Sequence, residues 1–145
     1  MSQRPDPGSL PCSPSEAVAG VLYFPRLTAK IRLHHEGRLW EELHANLGKG
    51  VDHWCSSFLH VDYAALKERV LQGDSDEEIL AWCEQTGRTL NETDKLVWKN
   101  FVLKLGLEDK AAGLLAKLKA ESGLESRDDI QTMGHFIDVH EGRKP

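Results

Sequence analysis

The sequence predicts an all-α fold: a compact single-domain bundle of about seven or eight short helices. Three observations carry that expectation. Apolar residues recur at intervals of three and four. No stretch sustains period-two alternation. Glycine stops alternate with Ser, Asn or Asp starts along most of the 145 residues. With 40% hydrophobic residues, a chain of this length buries a core without needing disulfides or a structural metal.

Residues 1–12 hold Pro5, Pro7 and Pro11 with Gly8 and Ser9, and read as a flexible Pro-rich tail ahead of a single helical domain at 13–145. Ser13, Pro14 and Glu16 occupy consecutive helix-start positions, so a first helix is expected there, carrying Ala17, Val18, Val21 and Leu22 as far as Pro25. A second runs from Pro25 to Gly37. A third segment, Arg38 to Leu47, ends in Gly48-Lys49-Gly50, after which Asp52 caps a short helix bearing Trp54, Phe58 and Leu59. Asp62 starts the next, which stops at Gly73. Ser75 with Glu78 forms a capping box before Ile79, Leu80, Trp82 and Cys83, and Gly87 closes that helix. Asn91 opens a segment ending at Gly106, Ala111 to Leu118 follow as far as Gly123, and Ser126 with Asp129 starts a last helix bearing Ile130, Met133 and Ile137.

These segments resemble a bacterial family known as domain of unknown function number five thousand and sixty-nine. The likeness covers about residues 14–143. It rests on Pro25-Arg26 with Lys30 and Arg32, Phe58-Leu59 with Asp62, Ser75 to Glu78 with Trp82, and Ile137-Asp138 with Glu141-Gly142-Arg143. His60 stands where such proteins often carry Gly. The resemblance implies a small helical bacterial protein and no particular activity, so chemistry has to be read from the residues themselves.

Composition narrows the classes. The count of 18 Lys+Arg against 23 Asp+Glu, net −5, argues against nucleic acid as a partner. No apolar run approaches the roughly 20 residues of a membrane helix, and the Pro-rich start is unlike a signal peptide. Cys12, Cys55 and Cys83 make neither a disulfide framework nor a metal knuckle. A cytoplasmic location follows from these features.

The most pointed constellation is basic. On a helix, Arg26 and Lys30 lie about 40° apart with His34 another 40° on, giving a strip of anion donors beside Leu27 and Ile31. With Asp138, Glu141 and Arg143 from the closing motif, Arg26, Lys30 and His34 form the expected ligand site. Its partner would be a small acidic molecule or a protein, with a homo-oligomeric scaffold as a further possibility. The blander reading pairs these cations with carboxylates of the acidic second half, Arg26 with Asp138 for instance. If one or two of Trp40, Trp54, Trp82 and Trp98 border a pocket with the same cations, the natural ligand is an amphipathic acid; otherwise they are core anchors.

An enzymatic alternative is acid–base or metal-assisted chemistry on a small molecule, using His34 or His140 with Asp138 or Asp52 as orienting carboxylate. Glu41 and His44 supply only half of a di-iron pattern, and His34-His35 diverge by about 100° on a helix, so neither a metal nor any cofactor is expected. Gly48-Lys49-Gly50 lacks both the Ser or Thr and the preceding strand of a phosphate loop. Cys83 shares the apolar stripe of Ile79 and reads as a core residue, and Cys55 lies about 200° from His53 around a helix.

Overall fold

A computed structural model describes residues 5–145; the first four residues of the expected tail lie outside the described residues. The fold is helical, as the periodicity predicts. Seven α-helices are found among these residues: α1 (Phe24–His35), α2 (Val51–Phe58), α3 (Tyr63–Val70), α4 (Asp76–Thr86), α5 (Glu92–Lys104), α6 (Ala112–Glu121) and α7 (Met133–His140). Two short 3-10 helices, Pro7–Ser9 and Glu41–Asn46, accompany them.

The expected first helix does not form. Its place is taken by an antiparallel hairpin of β1 (Ala17–Val18) and β2 (Val21–Leu22), in which Ala17 faces Leu22 and Val18 faces Val21. Ala19 and Gly20 turn the chain with φ of 47° and 83°, the pair of left-handed residues that a tight hairpin requires. The β-branched valines suit the extended backbone. Ser13, read as a helix cap, instead directs its hydroxyl to Asp138, 3.1 Å away.

Elsewhere the caps decide the boundaries. Ser75 and Glu78 close a reciprocal box at 3.2 Å on each side, Asn91 and Asp94 do the same for α5, and the Asp62 carboxylate accepts from Ala65 N. The last helix starts later than Ser126, at a Thr132 cap whose hydroxyl accepts from His135 N. Asp129 is held by Arg127 in a two-pronged pair at 2.8 Å, and Lys119 Nζ donates to the carbonyls of Arg127 and Ile130, which keeps this stretch out of a helix. Asp52 is likewise no cap. Gly50 precedes α2, and the Asp52 carboxylate turns inward.

Most of the buried apolar surface forms one core from the hairpin, α1 to α4 and the inner side of α5, centred on Phe24, Leu27, Leu59, Leu66 and Ile79. Trp98 of α5 anchors to it by stacking on Phe58 and donating its indole N–H to Leu22 O at 2.7 Å. Gly87 is fixed by crowding, because a Cβ there would stand 2.0 Å from the Leu59 carbonyl oxygen. A smaller cluster of Leu115, Ile130 and Phe136 joins α6 to α7. The segment before the hairpin lies against the domain: Pro11 is buried, Trp40 N donates to Ser9 O, and Arg26 and Arg143 donate to the Cys12 and Pro11 carbonyls.

Candidate functional site

Between the main core and the α6–α7 cluster lies a cavity of about 630 Å³. Its polar floor is supplied by Tyr23, Arg26, Lys30 and Glu141, and its apolar walls by Trp40, Trp54, Leu118, Phe136 and Ile137. Exposed residues, among them Lys49, Leu114 and Glu121, form the mouth. A second, smaller hollow beside α4 is lined by Glu77, Leu80, Glu84 and Thr89, with no buried charge.

Two ion pairs hold the floor. Arg26, 2% exposed, grips Glu141 with both terminal guanidinium nitrogens, at 2.9 and 2.7 Å. Arg143 donates to the same carboxylate at 2.6 Å and to Asp138 at 3.2 Å, so the first pair extends into a chain that ends on Ser13. One turn further along α1, Lys30 Nζ donates to Asp52 Oδ1 at 3.0 Å. The Tyr23 hydroxyl donates to that same oxygen, and Gly48 N donates to Asp52 Oδ2 at 3.0 Å. Asp52 has no exposed surface, yet it is matched by three donors, as a buried carboxylate must be.

The electrostatics of the two cations differ. Burial works to lower the Arg26 pKa, but the Glu141 carboxylate outweighs it and the guanidinium ends above its ordinary value. Burial pulls Lys30 below its ordinary value, and Asp52 only partly offsets this. The Tyr23 hydroxyl is pushed well above its usual range, chiefly by burial and then by the Asp52 charge. Tyr23 also has left-handed backbone, φ 73°, immediately before α1. For a bulky residue that conformation is strained, and here it points the ring at Asp52.

Of the six residues expected to form the site, Arg26, Lys30 and Glu141 line the cavity. Asp138 and Arg143 stand behind Glu141 and brace it. His34 is not with them. It is exposed near the end of α1, with its ring against His44 at 5.0 Å. Arg26 pairs with Glu141 and not with Asp138. His140 lines the cavity between Trp40 and Phe136, but its Nε2 meets Glu42 at 3.2 Å and neither Asp138 nor Asp52. Local spacing gave no sign of Tyr23. The one available signal was its place between the tight turn and Pro25.

Other candidates resolve simply. Among the described residues, no group of three or more His, Cys, Asp and Glu is placed to hold a metal, and no helix is long and apolar enough to cross a membrane. Burial drives the thiols upward, Cys12 and Cys83 to about 12 and Cys55 further still, so none is an activated nucleophile.

Fold and cavity define a small helical protein with a large hollow, charged at its base and aromatic at its sides. The chain belongs to the family described as Domain of unknown function (DUF5069), whose family model matches residues 9–143. No curated protein and no solved structure matches it.

Proposed function

We propose that the chain binds a small amphipathic molecule, with a polar head on the Tyr23–Arg26–Lys30 floor and an apolar body against Trp40, Trp54 and Phe136. The volume of about 630 Å³ falls within the range of ligand sites, roughly 300–1,000 Å³. One observation carries the reading. Lys30 Nζ has three N–H donors and, among the described residues, one hydrogen bond, to Asp52. The remaining donors suit a carboxylate or carbonyl oxygen. Arg26, Lys30 and Arg143 are balanced by Asp52, Asp138 and Glu141, so the floor binds such an oxygen through directed hydrogen bonds more than through net charge. The three free thiols support a reducing cytoplasm as its location.

Titration with hydrocinnamate and straight-chain C6 to C10 acids and alcohols, read by tryptophan fluorescence and thermal melting, tests this. The expected result is a saturable signal that strengthens with chain length until the hollow is full. A ligand at 100 times its Kd then stabilises the protein by about 2.7 kcal/mol. Lack of saturation across the whole series removes the reading.

A partner-binding surface is the second reading, favoured by a separate feature. Leu96, Val97, Phe101, Leu103 and Leu107, on and just beyond α5, are 38–61% exposed. A light-scattering mass of one chain at high concentration, unchanged in Val97→Glu, would count against self-association.

A further inference from the structure

We infer that Lys30 is an amine nucleophile that captures the carbonyl carbon of an amphipathic aldehyde or ketone as an iminium inside the cavity. The inference rests on the ligand-binding reading above and names its substrate class. Arg26 and Lys30 sit one turn apart on α1, both almost fully buried and both paired to a carboxylate. A purely structural pair is best made by arginine, whose fork matches a carboxylate and which keeps its proton, as Arg26 does against Glu141. Lysine at the second position supplies what arginine cannot. Its nitrogen releases a proton and forms a bond to carbon, and burial favours that neutral form.

The hydrogen-bond count fits the reaction. Lys30 carries three hydrogens on Nζ, and one of them is directed at Asp52 Oδ1, 3.0 Å away. A cavity water takes one of the two protons not directed at Asp52, and the freed lone pair attacks the carbonyl carbon. The C–N bond forms as the carbonyl π pair moves to oxygen, which takes a proton back from that water. A second nitrogen proton passes to the hydroxyl through water in the same way, the C–O bond breaks, and water leaves as the nitrogen lone pair closes C=N. Ammonium and carbonyl thus give iminium and water, with one positive charge before and after. The one remaining N–H is the one Asp52 holds, so the buried pair survives with no new charge. Tyr23, on the same carboxylate oxygen, is a positioning residue in this scheme. Its strained backbone fixes the hydroxyl that steadies Asp52. The Trp40 and Trp54 walls give the substrate's apolar body a surface to pack against beside the reacting carbon.

The test is reductive trapping on the wild-type chain, which avoids any variant that fails to fold. One molar equivalent of hydrocinnamaldehyde is added with cyanoborohydride at pH 7.5, followed by intact mass and peptide mapping. The expected result is a single adduct at Lys30, formed at least tenfold faster than at any other lysine and suppressed by excess hydrocinnamyl alcohol. Adducts spread over exposed lysines such as Lys49 and Lys117, with Lys30 no faster than they are, overturn the inference. If the alcohol still gives a saturable tryptophan signal in that case, only the imine step falls. If it does not, the binding reading falls with it.

Discussion

The hairpin and α1 to α5 share one continuous apolar core, whereas α6 and α7 gather a separate small cluster and leave Leu114 half exposed beside it. The first region is closed by residues with no exposed surface, such as Phe24, Leu27, Leu66 and Ile79. The second meets it where α7 lies against α5 and through a few polar bridges: Arg26 to Glu141, Met133 N to Leu105 O at 2.7 Å, and Arg143 to the Pro11 carbonyl. The difference explains the cavity. Two apolar clusters that fuse leave no space, whereas two that stay separate around a buried ion pair leave a hollow with that charge at its base. The proposed binding capacity therefore comes from incomplete merging of the cores.

The strongest way to break this arrangement is to cut the bridge. Glu141→Ala strands the Arg26 guanidinium in a buried position with only the Cys12 carbonyl to accept from it. The expected loss is about 3–5 kcal/mol in urea unfolding, the range for removing one partner of a buried pair. A loss below about 1 kcal/mol would show that the regions do not depend on it. Apolar truncations then rank the two cores. Ile79→Ala, at a site with no exposure, should cost about 3–4 kcal/mol, and Leu115→Ala in the smaller cluster about 2 kcal/mol, since looser surroundings relax around the gap. Equal costs would mean the second cluster is packed as tightly as the first.

Alkaline pH distinguishes the regions in another way. Cys55 and Cys83 have folded pKa values above the ordinary 9.0, and Tyr23 lies above its ordinary 10.0. All three belong to the main core. Unfolding lets these groups ionise, so the stability they confer is fully present below pH 9 and declines as pH rises beyond it. Each fully buried group contributes a slope of up to about 1.4 kcal/mol per pH unit. Lys30 acts oppositely, because its folded pKa is lowered and its penalty is relieved as pH climbs toward 10.5. The thiols and tyrosine outnumber it, and the expected net change between pH 7.5 and 10 is a loss of about 1–2 kcal/mol in urea unfolding. Cys55→Ala should lose less over the same interval, and an identical pH dependence in that variant would exclude the thiol as a cause.

Legibility in the sequence follows the range of each interaction. The capping box at Ser75 and the cap at Asp62 span three residues and were readable. So was the Arg26–Lys30 strip, because four residues set its geometry on any helix. His34 continues that strip on paper, but α1 has left the core by that point and the imidazole stands in solvent beside His44. Glu141 lies 115 residues from Arg26, and local spacing cannot choose between it and Asp138. The hairpin is illegible in the sequence for a different reason. Two-residue strands are too short to show alternation, and an alanine in left-handed backbone is an unusual turn signal. Tyr23 is illegible for the same reason, since its conformation depends on the hairpin that precedes it.

The smallest effects belong to the caps, and they sharpen the comparison most cleanly. Ser75→Ala removes one side of a capping box in the main region and should cost about 1 kcal/mol. Thr132→Ala removes the single side-chain bond at the start of α7 and should cost somewhat less, about 0.5–1 kcal/mol. Their consequences for binding differ in the reverse order. The α4 helix borders no part of the cavity, whereas α7 carries Phe136 and Ile137 on its wall and leads directly into Glu141 on its floor. Thr132→Ala should therefore weaken hydrocinnamyl alcohol binding in a fluorescence titration, and Ser75→Ala should leave it unchanged. If both variants weaken it equally, the cavity responds to global stability, and the two regions do not act as separate supports.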